Sequence, residues 1–238
     1  MSASESLVPG AVNFRDVGGL PARAGRTRHG VLYRSGNLAA VEAPGAEAFR
    51  RLGVRRVVDL RSDDEVAHAP SRVGDVETLR VPLFLGSLAS FFVEDLSLTE
   101  LYRLLLARSG DRIVTAVRGI LGAQPVLVHC TVGKDRTGMT VALALAASGV
   151  DEDAVVADYA RTESMLPAWR NAEVTARVRA AYPSARNLEE LATRSPAPVM
   201  RGILDEVRAQ HGSAEGYLRA HGMDDGELAL LRRTLIAE

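Results

Sequence analysis

The chain of 238 residues contains one cysteine and one lysine, and the two stand four positions apart in the stretch HCTVGKDRTG, residues 129–138. Every other basic side chain, apart from the histidines, is an arginine. An ionised cysteine is a strong nucleophile, and lysine and arginine bind anions. A thiol followed closely by Lys134 and Arg136 therefore indicates chemistry on an anionic substrate.

The residues around Cys130 predict a strand, a tight loop and a helix. PVLVHC is a continuous apolar run typical of a strand buried in a parallel sheet, and a helical pattern begins near Arg136. Loops at this edge of an α/β sheet are where such folds bind ligands. The N–H groups of TVGKD and of the helix N-terminus would surround a tetrahedral anion, with Arg136 binding two of its oxygens. The same positive surroundings stabilise a thiolate, which places Cys130 for attack on phosphorus.

Strands and helices alternate along the chain. NFRDVGGL and GVLYRSGNL predict a β-hairpin with a long polar loop, and VRRVVDL and LRVPLFL predict two further strands. Helices are predicted over 44–52 (ending at Gly53), from Ser97 or Thr99 through LYRLLLA, over about 112–121, and through most of the sequence after Arg136.

This alternation predicts an α/β fold, with a central, mainly parallel sheet flanked by helices and a helical C-terminal region. No convincing linker interrupts the pattern. We expect a single domain over residues 1–238, with residues 1–11 as a flexible lead-in.

Composition indicates an ordinary globular protein and argues against nucleic-acid binding and membrane insertion. A hydrophobic content of 47%, a charged content of 25% and a net charge of −1 are ordinary for a globular protein and offer no basic field for nucleic acid. A lone cysteine cannot form an intrachain disulfide. The N-terminus lacks the pattern of a classical signal peptide, and no apolar run is long enough to span a membrane. We expect a cytoplasmic location without stable membrane insertion; non-classical export and oligomeric state stay open.

The ten residues also resemble a known signature. Cys130 and Arg136 are separated by five residues, His129 precedes the cysteine, and Thr137 follows the arginine. Together with NFRDVGG near the N-terminus, this stretch resembles the bacterial tyrosine-phosphatase family of the cysteine-dependent protein tyrosine and dual-specificity phosphatase superfamily. The resemblance covers nearly the whole chain, through LYRS, RLGVRRVVDLRSDDEV, VVADYARTES and GSAEGYLRAHGM. It implies the three-layer fold and the phosphatase activity of that family.

The resemblance also implies a role for each residue of the loop. Cys130 would attack phosphorus and form a cysteinyl-phosphate. His129 would keep the loop and thiolate in position, and the Thr137 hydroxyl would hydrogen-bond the thiolate as it leaves. The phosphate oxygens would be held by six residues: Thr131, Val132, Gly133, Lys134, Asp135 and Arg136.

Three aspartates are candidates for the general acid. The Trp-Pro-Asp triplet of the classical members is absent, since Trp169 is followed by Arg170 and Asn171. In this family the aspartate inside the loop, Asp135, is the favoured proton donor. Asp59, at the end of a strand, and Asp95 are the alternatives.

The resemblance implies a broad range of substrates: phosphotyrosine, phosphorylated serine or threonine, and phosphoinositides. Lys134 would bind a second phosphate of an inositol ring. A helical lid is expected over residues 158–195, and its arginines would give it a cationic underside: Arg161, Arg170, Arg177, Arg179 and Arg186.

Other interpretations compete with these. A phosphate-binding protein that has lost turnover would keep the loop and Arg136 without a working acid. Arg15 and Asp16 are adjacent and are expected to form an ion pair. No cofactor is expected, and no metal, because the histidines have no metal-ligand spacing.

Overall fold

A computed structural model of the chain describes residues 6–83 and 88–237. The strands are β1 (Arg15–Asp16), β2 (Pro21–Ala22), β3 (Gly25–Thr27), β4 (Leu32–Ser35), β5 (Arg56–Asp59), β6 (Glu77–Arg80), β7 (Val126–His129) and β8 (Ile236–Ala237). The helices are α1 (Ala43–Arg51), α2 (Asp63–His68), α3 (Leu88–Val93), α4 (Leu98–Leu121), α5 (Asp135–Ala147), α6 (Glu152–Met165), α7 (Ala168–Ala181), α8 (Leu188–Thr193), α9 (Ala197–His211), α10 (Ala214–Ala220) and α11 (Asp225–Leu235).

Five strands form the central sheet in the order β1-β4-β7-β5-β6. The last four are parallel to their neighbours, and β1 is an antiparallel edge strand. All four residues of β7 are buried, as its apolar sequence predicts. The register places Ser35 and Asp59 on either side of His129. The predicted, mainly parallel sheet is confirmed, and it brings Cys130 to its carboxyl edge.

Two hydrophobic cores lie on opposite faces of this sheet, because successive strand residues point to opposite sides. Val58 and Val128 pack in a core that α4, α5 and the C-terminal helices complete. Val57 and Leu127 pack on the other face with Phe49 of α1. The sheet is therefore the middle layer of three, which confirms the expected three-layer α/β fold.

The N-terminal segment is more ordered than the sequence indicated. Residues 1–11 were expected to be a flexible lead-in, but within the described part Val8 and Ala11 are buried in the core that contains Phe49. Their apolar side chains cover the face of the sheet that the helices α4 and α5 leave open. The prediction is wrong for residues 6–11; residues 1–5 lie outside the described part.

The predicted hairpin is present as the antiparallel pair of β1 and β4. Its long connection forms a second small sheet, in which β3 lies between β2 and β8. The C-terminal strand β8 thus pairs with β3 in the N-terminal third of the chain.

Two other segments differ in detail from their prediction. LRVPLFL was predicted as a strand, but β6 ends at Arg80, and Pro82 has no N–H with which to continue the ladder; Phe84 and Leu85 lie outside the described residues. The two helices predicted on either side of residue 109 form one element, α4, with a non-helical Ser109. Its N-terminus is capped by Ser97, in a capping box with Glu100, and not by Thr99.

The helices after the loop differ in burial. α6 carries Asp158 and Tyr159 into the core, so the first residues of the predicted lid belong to the body of the domain. Along α7, every residue of which is described, no side chain is buried. Among the described helices, none combines the length and apolar character needed to cross a membrane.

Candidate active site

Cys130 lies at the junction of β7 and a five-residue loop that leads into α5. Its side chain is buried, and its Sγ accepts a hydrogen bond from the backbone N–H of Gly133 at 3.2 Å. α5 begins at Asp135, so its N-terminus points at the same loop. The predicted strand, loop and helix are all present.

The carbonyl groups of the loop are bound from outside. Asn13 Nδ2 donates to the carbonyl oxygens of Val132 (3.3 Å) and Gly133 (3.0 Å), and Arg34 Nη2 donates to Gly133 at 2.9 Å. The carbonyl oxygen of Thr131 accepts from the Asn37 N–H at 3.0 Å. The Gly133 N–H faces the thiol, and carbonyls that are bound from outside fit a loop whose N–H groups form an anion-binding nest.

Gly133 is required at its position for two reasons. Its φ is +74°, and a Cβ built there would lie 2.3 Å from the carbonyl oxygen of Ser35 in β4. Gly133→Ala is expected to lower the free energy of unfolding by about 3 kcal/mol and to abolish activity, because the loop cannot move away from a central strand. Urea unfolding and a turnover assay measure the two effects.

Gly53 supplies the matched control. Its φ is +64°, yet a Cβ there would meet nothing within 4 Å. Gly53→Ala should therefore cost only about 1 kcal/mol of backbone strain and leave turnover intact. Equal losses in the two variants would show that the contact with Ser35 is unimportant.

Arg136 is fixed by a carboxylate that the sequence did not point out. Its Nη1 and Nη2 donate to Glu65 Oε2 and Oε1 at 2.6 and 2.7 Å, and Nη2 also donates to Thr131 Oγ1 at 3.2 Å. Burial raises the pKa of Glu65, but the hydrogen bonds and charge of Arg136 outweigh it and lower that pKa to about 2. The pair therefore stays ionised at neutral pH and holds the guanidinium beside the thiol.

Glu65 itself is held in place by its helix. It is the third residue of α2, where its carboxylate accepts from the N–H of Ser62 at 2.8 Å and its own N–H donates back to Ser62 Oγ. It also accepts from Thr131 Oγ1. The Ser-x-x-Glu capping box at 62–65 was the available sequence signal, but nothing in the sequence linked it to Arg136.

Asp135 lies at the first turn of α5, with its side chain one-fifth exposed. Its Oδ1 is 2.7 Å from Lys134 Nζ and accepts a hydrogen bond from Tyr102 Oη at 3.0 Å. Lys134 is almost completely buried. Both residues line the same cavity as Cys130.

His129 and Asp59 lie behind the loop rather than in the cavity. Burial lowers the pKa of His129 to about 4, so the imidazole is neutral; its Nδ1 is 3.3 Å from the Cys130 carbonyl oxygen and its Nε2 is 3.6 Å from Asp59 Oδ1. Asp59 is buried, and Arg61 binds both of its oxygens, at 2.9 and 2.7 Å. Thr137 is fully buried, and within the described residues its Oγ1 has no hydrogen-bond partner.

A buried cluster of charges supports the loop from below. Asp158 of α6 binds Arg15 Nε at 2.8 Å and Arg34 Nη1 at 2.6 Å. The expected ion pair between Arg15 and Asp16 is therefore wrong: neighbouring strand residues point to opposite faces, and Asp16 instead lies beside His29. Since Arg34 also donates to Gly133, the cluster ties the N-terminal strands, the loop and α6 together.

This cluster predicts a pH-dependent contribution to stability. Burial raises the pKa of Asp158, but Arg34 and Arg15 outweigh it and lower that pKa to about 2. A carboxyl with a depressed folded-state pKa stabilises the fold fully above its ordinary value near ~4 and loses that contribution as the pH falls toward the folded value. Asp158→Asn is expected to cost about 3 kcal/mol at neutral pH, because two buried arginines lose their counterion. The difference from the wild type should narrow below about pH 5.

Asp153→Asn is the control for that series, since Asp153 is 87% exposed in its pair with Arg201 and should change little. Urea unfolding curves collected from neutral to acidic pH give the comparison. A difference between wild type and Asp158→Asn that stays constant with pH would contradict the assignment.

A cavity of about 270 Å³ opens above Cys130. Its floor is the loop, and the opposite wall is formed by α7 through Arg170, Val174, Arg177 and Val178. Of the five arginines expected on the underside of the lid, Arg170 and Arg177 line the cavity. The remaining lining is mostly apolar: Phe91, Phe92, Leu101, Leu191 and Ala192.

Asp95 does not line this cavity. It connects the segment after α3 to the turn between α7 and α8. Its Oδ1 accepts from the N–H groups of Arg186 and Asn187 at 2.7 and 2.9 Å, and its Oδ2 accepts from Arg186 Nε at 2.9 Å. Nearby, Phe92 stacks on Tyr182 with ring centroids 5.6 Å apart. The segment after α3 is thereby attached to the turn between α7 and α8.

Known phosphatases are similar in sequence to this chain over most of its length. The chain is 33% identical to the triple specificity protein phosphatase PtpB of Mycobacterium tuberculosis, over 96% of the chain and 98% of that protein. It is 32% identical to a putative tyrosine-protein phosphatase of Cupriavidus necator, over 87% of the chain and 80% of the relative. Among solved structures, the core catalytic domain of the S. cerevisiae PP-IP phosphatase SIW14 matches with a TM-score of 0.33 and 17% identity, over 84% of this chain and 94% of that one.

A family model described as the tyrosine phosphatase family matches residues 7–237. That range contains the loop with Cys130 and Arg136, the strands that position it and the helices that cover it. The chain belongs to the tyrosine phosphatase family.

Proposed function

We propose that this protein is a cysteine-dependent phosphatase that hydrolyses phosphate monoesters, phosphotyrosine among them, through a cysteinyl-phosphate intermediate. The observation that carries the proposal is the placement of Cys130 at the floor of the cavity, with Arg136 and Asp135 in the same lining. A thiolate, a bidentate cation and a carboxyl around one space are the groups that phosphoryl transfer to sulfur needs.

In the first step the Cys130 thiolate attacks phosphorus, the S–P bond forms and the ester P–O bond breaks. The leaving oxygen takes the proton of the acid, which becomes a carboxylate. In the second step water attacks phosphorus, the S–P bond breaks, the carboxylate takes a proton from the water, and inorganic phosphate leaves. The loop N–H groups and Arg136 bind the equatorial oxygens in both steps.

Asp135 is the general acid in this proposal. It lines the cavity, whereas Asp59 is buried with both oxygens bound by Arg61, and both carboxylate oxygens of Asp95 bind the turn after α7. The neutral His129 holds the carbonyl of Cys130, and the buried Thr137 hydroxyl is available to the thiolate.

The substrate range follows from the cations around the cavity. Lys134, Arg170 and Arg177 lie in the lining beyond Arg136, and their positive charge supports binding of substrates with a second phosphate, such as phosphoinositides, as well as phosphoproteins. The triple specificity of the mycobacterial relative agrees with this range. Family membership favours turnover over the binding-only alternative.

The chain forms one phosphatase domain in this proposal, and α7 is its lid. The exposed helix α7 covers the cavity without contributing to either core. A helix attached in this way can open for substrate entry and exclude water when closed. The cytoplasmic location expected from the sequence stays a prediction.

Trapping of the intermediate tests the function. The protein is mixed with p-nitrophenyl phosphate in EDTA and quenched with acid within milliseconds, and the peptides are analysed by mass spectrometry. We expect turnover in EDTA and one phosphate on the peptide that contains Cys130. Turnover without that adduct, or turnover that needs added metal, would contradict the proposal.

A further inference from the structure

The hydrogen bond and the shortest ion-pair distance of the Asp135 side chain both fall on one of its oxygens, Oδ1. Lys134 Nζ is 2.7 Å from Oδ1, and Tyr102 Oη lies 3.0 Å from the same atom. Within residues 6–83 and 88–237, no hydrogen bond reaches Oδ2. The carboxyl group is thus held by one end only.

The two tyrosines behind Asp135 form a hydrogen-bond chain with one direction. Tyr102 Oη is 2.7 Å from Tyr159 Oη. A carboxylate oxygen only accepts, so Tyr102 donates to Asp135. A phenol has a single proton, so Tyr159 must donate to Tyr102. The order of donation is therefore Tyr159 to Tyr102 to Asp135.

This direction holds in both states of the acid. When the acid is protonated on Oδ2, Oδ1 still accepts from Tyr102 as a carbonyl oxygen does. Burial and the nearby charge of Asp135 raise the pKa of Tyr102 well above its ordinary value, and burial raises that of Tyr159 as well. Both phenols consequently remain protonated and keep donating throughout the working pH range.

The two tyrosines of this hydrogen-bond chain are held in place by helices of the core. Tyr102 lies on α4 and Tyr159 on α6, both side chains are fully buried, and their rings meet edge to face with centroids 6.1 Å apart. The hydroxyl of Tyr102 therefore has little freedom to leave Asp135. The same contact connects the acid to two helices that belong to the core and not to the lid.

We propose that Tyr102 is a positioning residue for the general acid: it holds Oδ1 of Asp135 so that Oδ2 presents its proton to the leaving oxygen, and Tyr159 holds Tyr102. The inference rests on the proposed function, with Asp135 as the acid. The proton that moves to the leaving group comes from Oδ2, and neither tyrosine gains or loses one.

The test compares aryl phosphates with good and poor leaving groups. Tyr102→Phe removes the hydroxyl and keeps the ring. We expect it to lower kcat about tenfold on phenyl phosphate and by no more than about twofold on p-nitrophenyl phosphate, with little change in KM, because a poor leaving group depends more on the acid. A loss of equal size on both substrates would overturn the inference and leave Tyr102 a structural residue.

Tyr217→Phe is the matched control. Tyr217 is also buried, and its hydroxyl donates to a backbone carbonyl of the same helix α4, that of Leu106, at 2.8 Å. The Tyr217→Phe substitution removes a comparable buried hydrogen bond, and Tyr217 does not line the cavity. Its kcat should remain within about twofold of the wild type on both substrates; a drop matching that of Tyr102→Phe would overturn the inference.

Asp135→Asn separates this inference from the proposed function. It should lose more rate on phenyl phosphate than Tyr102→Phe does, and adding Tyr102→Phe to it should lose no more. If Asp135→Asn shows no leaving-group dependence, the acid assignment fails. If it shows that dependence and Tyr102→Phe does not, only the role of Tyr102 fails.

Tyr159→Phe keeps the proposal testable if Tyr102→Phe does not fold. It leaves the bond from Tyr102 to Asp135 in place and removes the one that orients Tyr102. We expect about a threefold loss on phenyl phosphate and less on p-nitrophenyl phosphate. A uniform loss, or none, would count against the chain of donors.

Discussion

Cys130→Ser is expected to lower kcat on p-nitrophenyl phosphate by about 10⁴-fold or more. A serine hydroxyl is not ionised at neutral pH. The adjacent His129 contacts the Cys130 carbonyl and Asp59, and no hydrogen bond is found between it and the side chain of Cys130 in the described structure. The rest of the loop does not depend on sulfur except through the Gly133 N–H, and an oxygen can accept that bond. Steady-state rates in EDTA measure the loss.

Binding provides the control for this variant. The carbonyls of Val132 and Gly133 are held by Asn13 and Arg34, which the substitution does not touch. A phosphotyrosine peptide should therefore still bind to Cys130→Ser, with a Kd within a few-fold of the KM of the wild type. Residual turnover above about one part in a hundred would exclude Cys130 as the nucleophile.

The sequence predicted best the features that depend on one short segment. PVLVHC gave β7 because a central parallel strand is buried on both faces and must be apolar throughout. The five residues between Cys130 and Arg136 fit one loop and one helix start, and the structure has both. Local spacing is sufficient for such features because their geometry is set by adjacent residues.

The residues that immobilise the loop were not predictable in the same way. Glu65 meets Arg136 across 71 positions of sequence, and Asp158 meets Arg15 across 143. Only the register of the sheet and the packing of α2 and α6 bring these charges together. Adjacency in the sequence predicted an ion pair between Arg15 and Asp16. That prediction failed because adjacent strand residues face opposite sides of the sheet.

The general acid was predicted only in part from the sequence. The resemblance to the family favoured Asp135 in the loop, but the residues of the sequence alone did not exclude Asp59 or Asp95. In the structure Arg61 holds both oxygens of Asp59, and Asp95 binds Arg186, whereas Asp135 reaches the cavity. Long-range partners remove the alternatives, which is information that spacing does not contain.

Arg136→Lys is expected to lower kcat/KM by about 10³-fold even though the charge is retained. The guanidinium binds Glu65 with two nitrogens and Thr131 with one of them, and the planar group must also meet the oxygens of the transferred phosphate. An ammonium is a single point charge and cannot hold a carboxylate fork and a phosphate together. Rates on p-nitrophenyl phosphate and the vanadate inhibition constant should change together, because vanadate adopts the geometry of the transition state.

Arg103→Lys is the control. Arg103 also binds a carboxylate with two nitrogens, Nε and Nη2 on Glu206, but on the exposed side of α4, so its substitution should not affect turnover. Glu65→Gln tests the other half of the pair. The pKa of Glu65, about 2, means that its carboxylate is charged at every pH of the assay, so the neutral amide should weaken the fork equally across the pH range. We expect a smaller loss than in Arg136→Lys. If Arg136→Lys lost no more than Arg103→Lys, the two-nitrogen geometry would be irrelevant, and the binding of phosphate would rest on the loop N–H groups and the helix N-terminus alone.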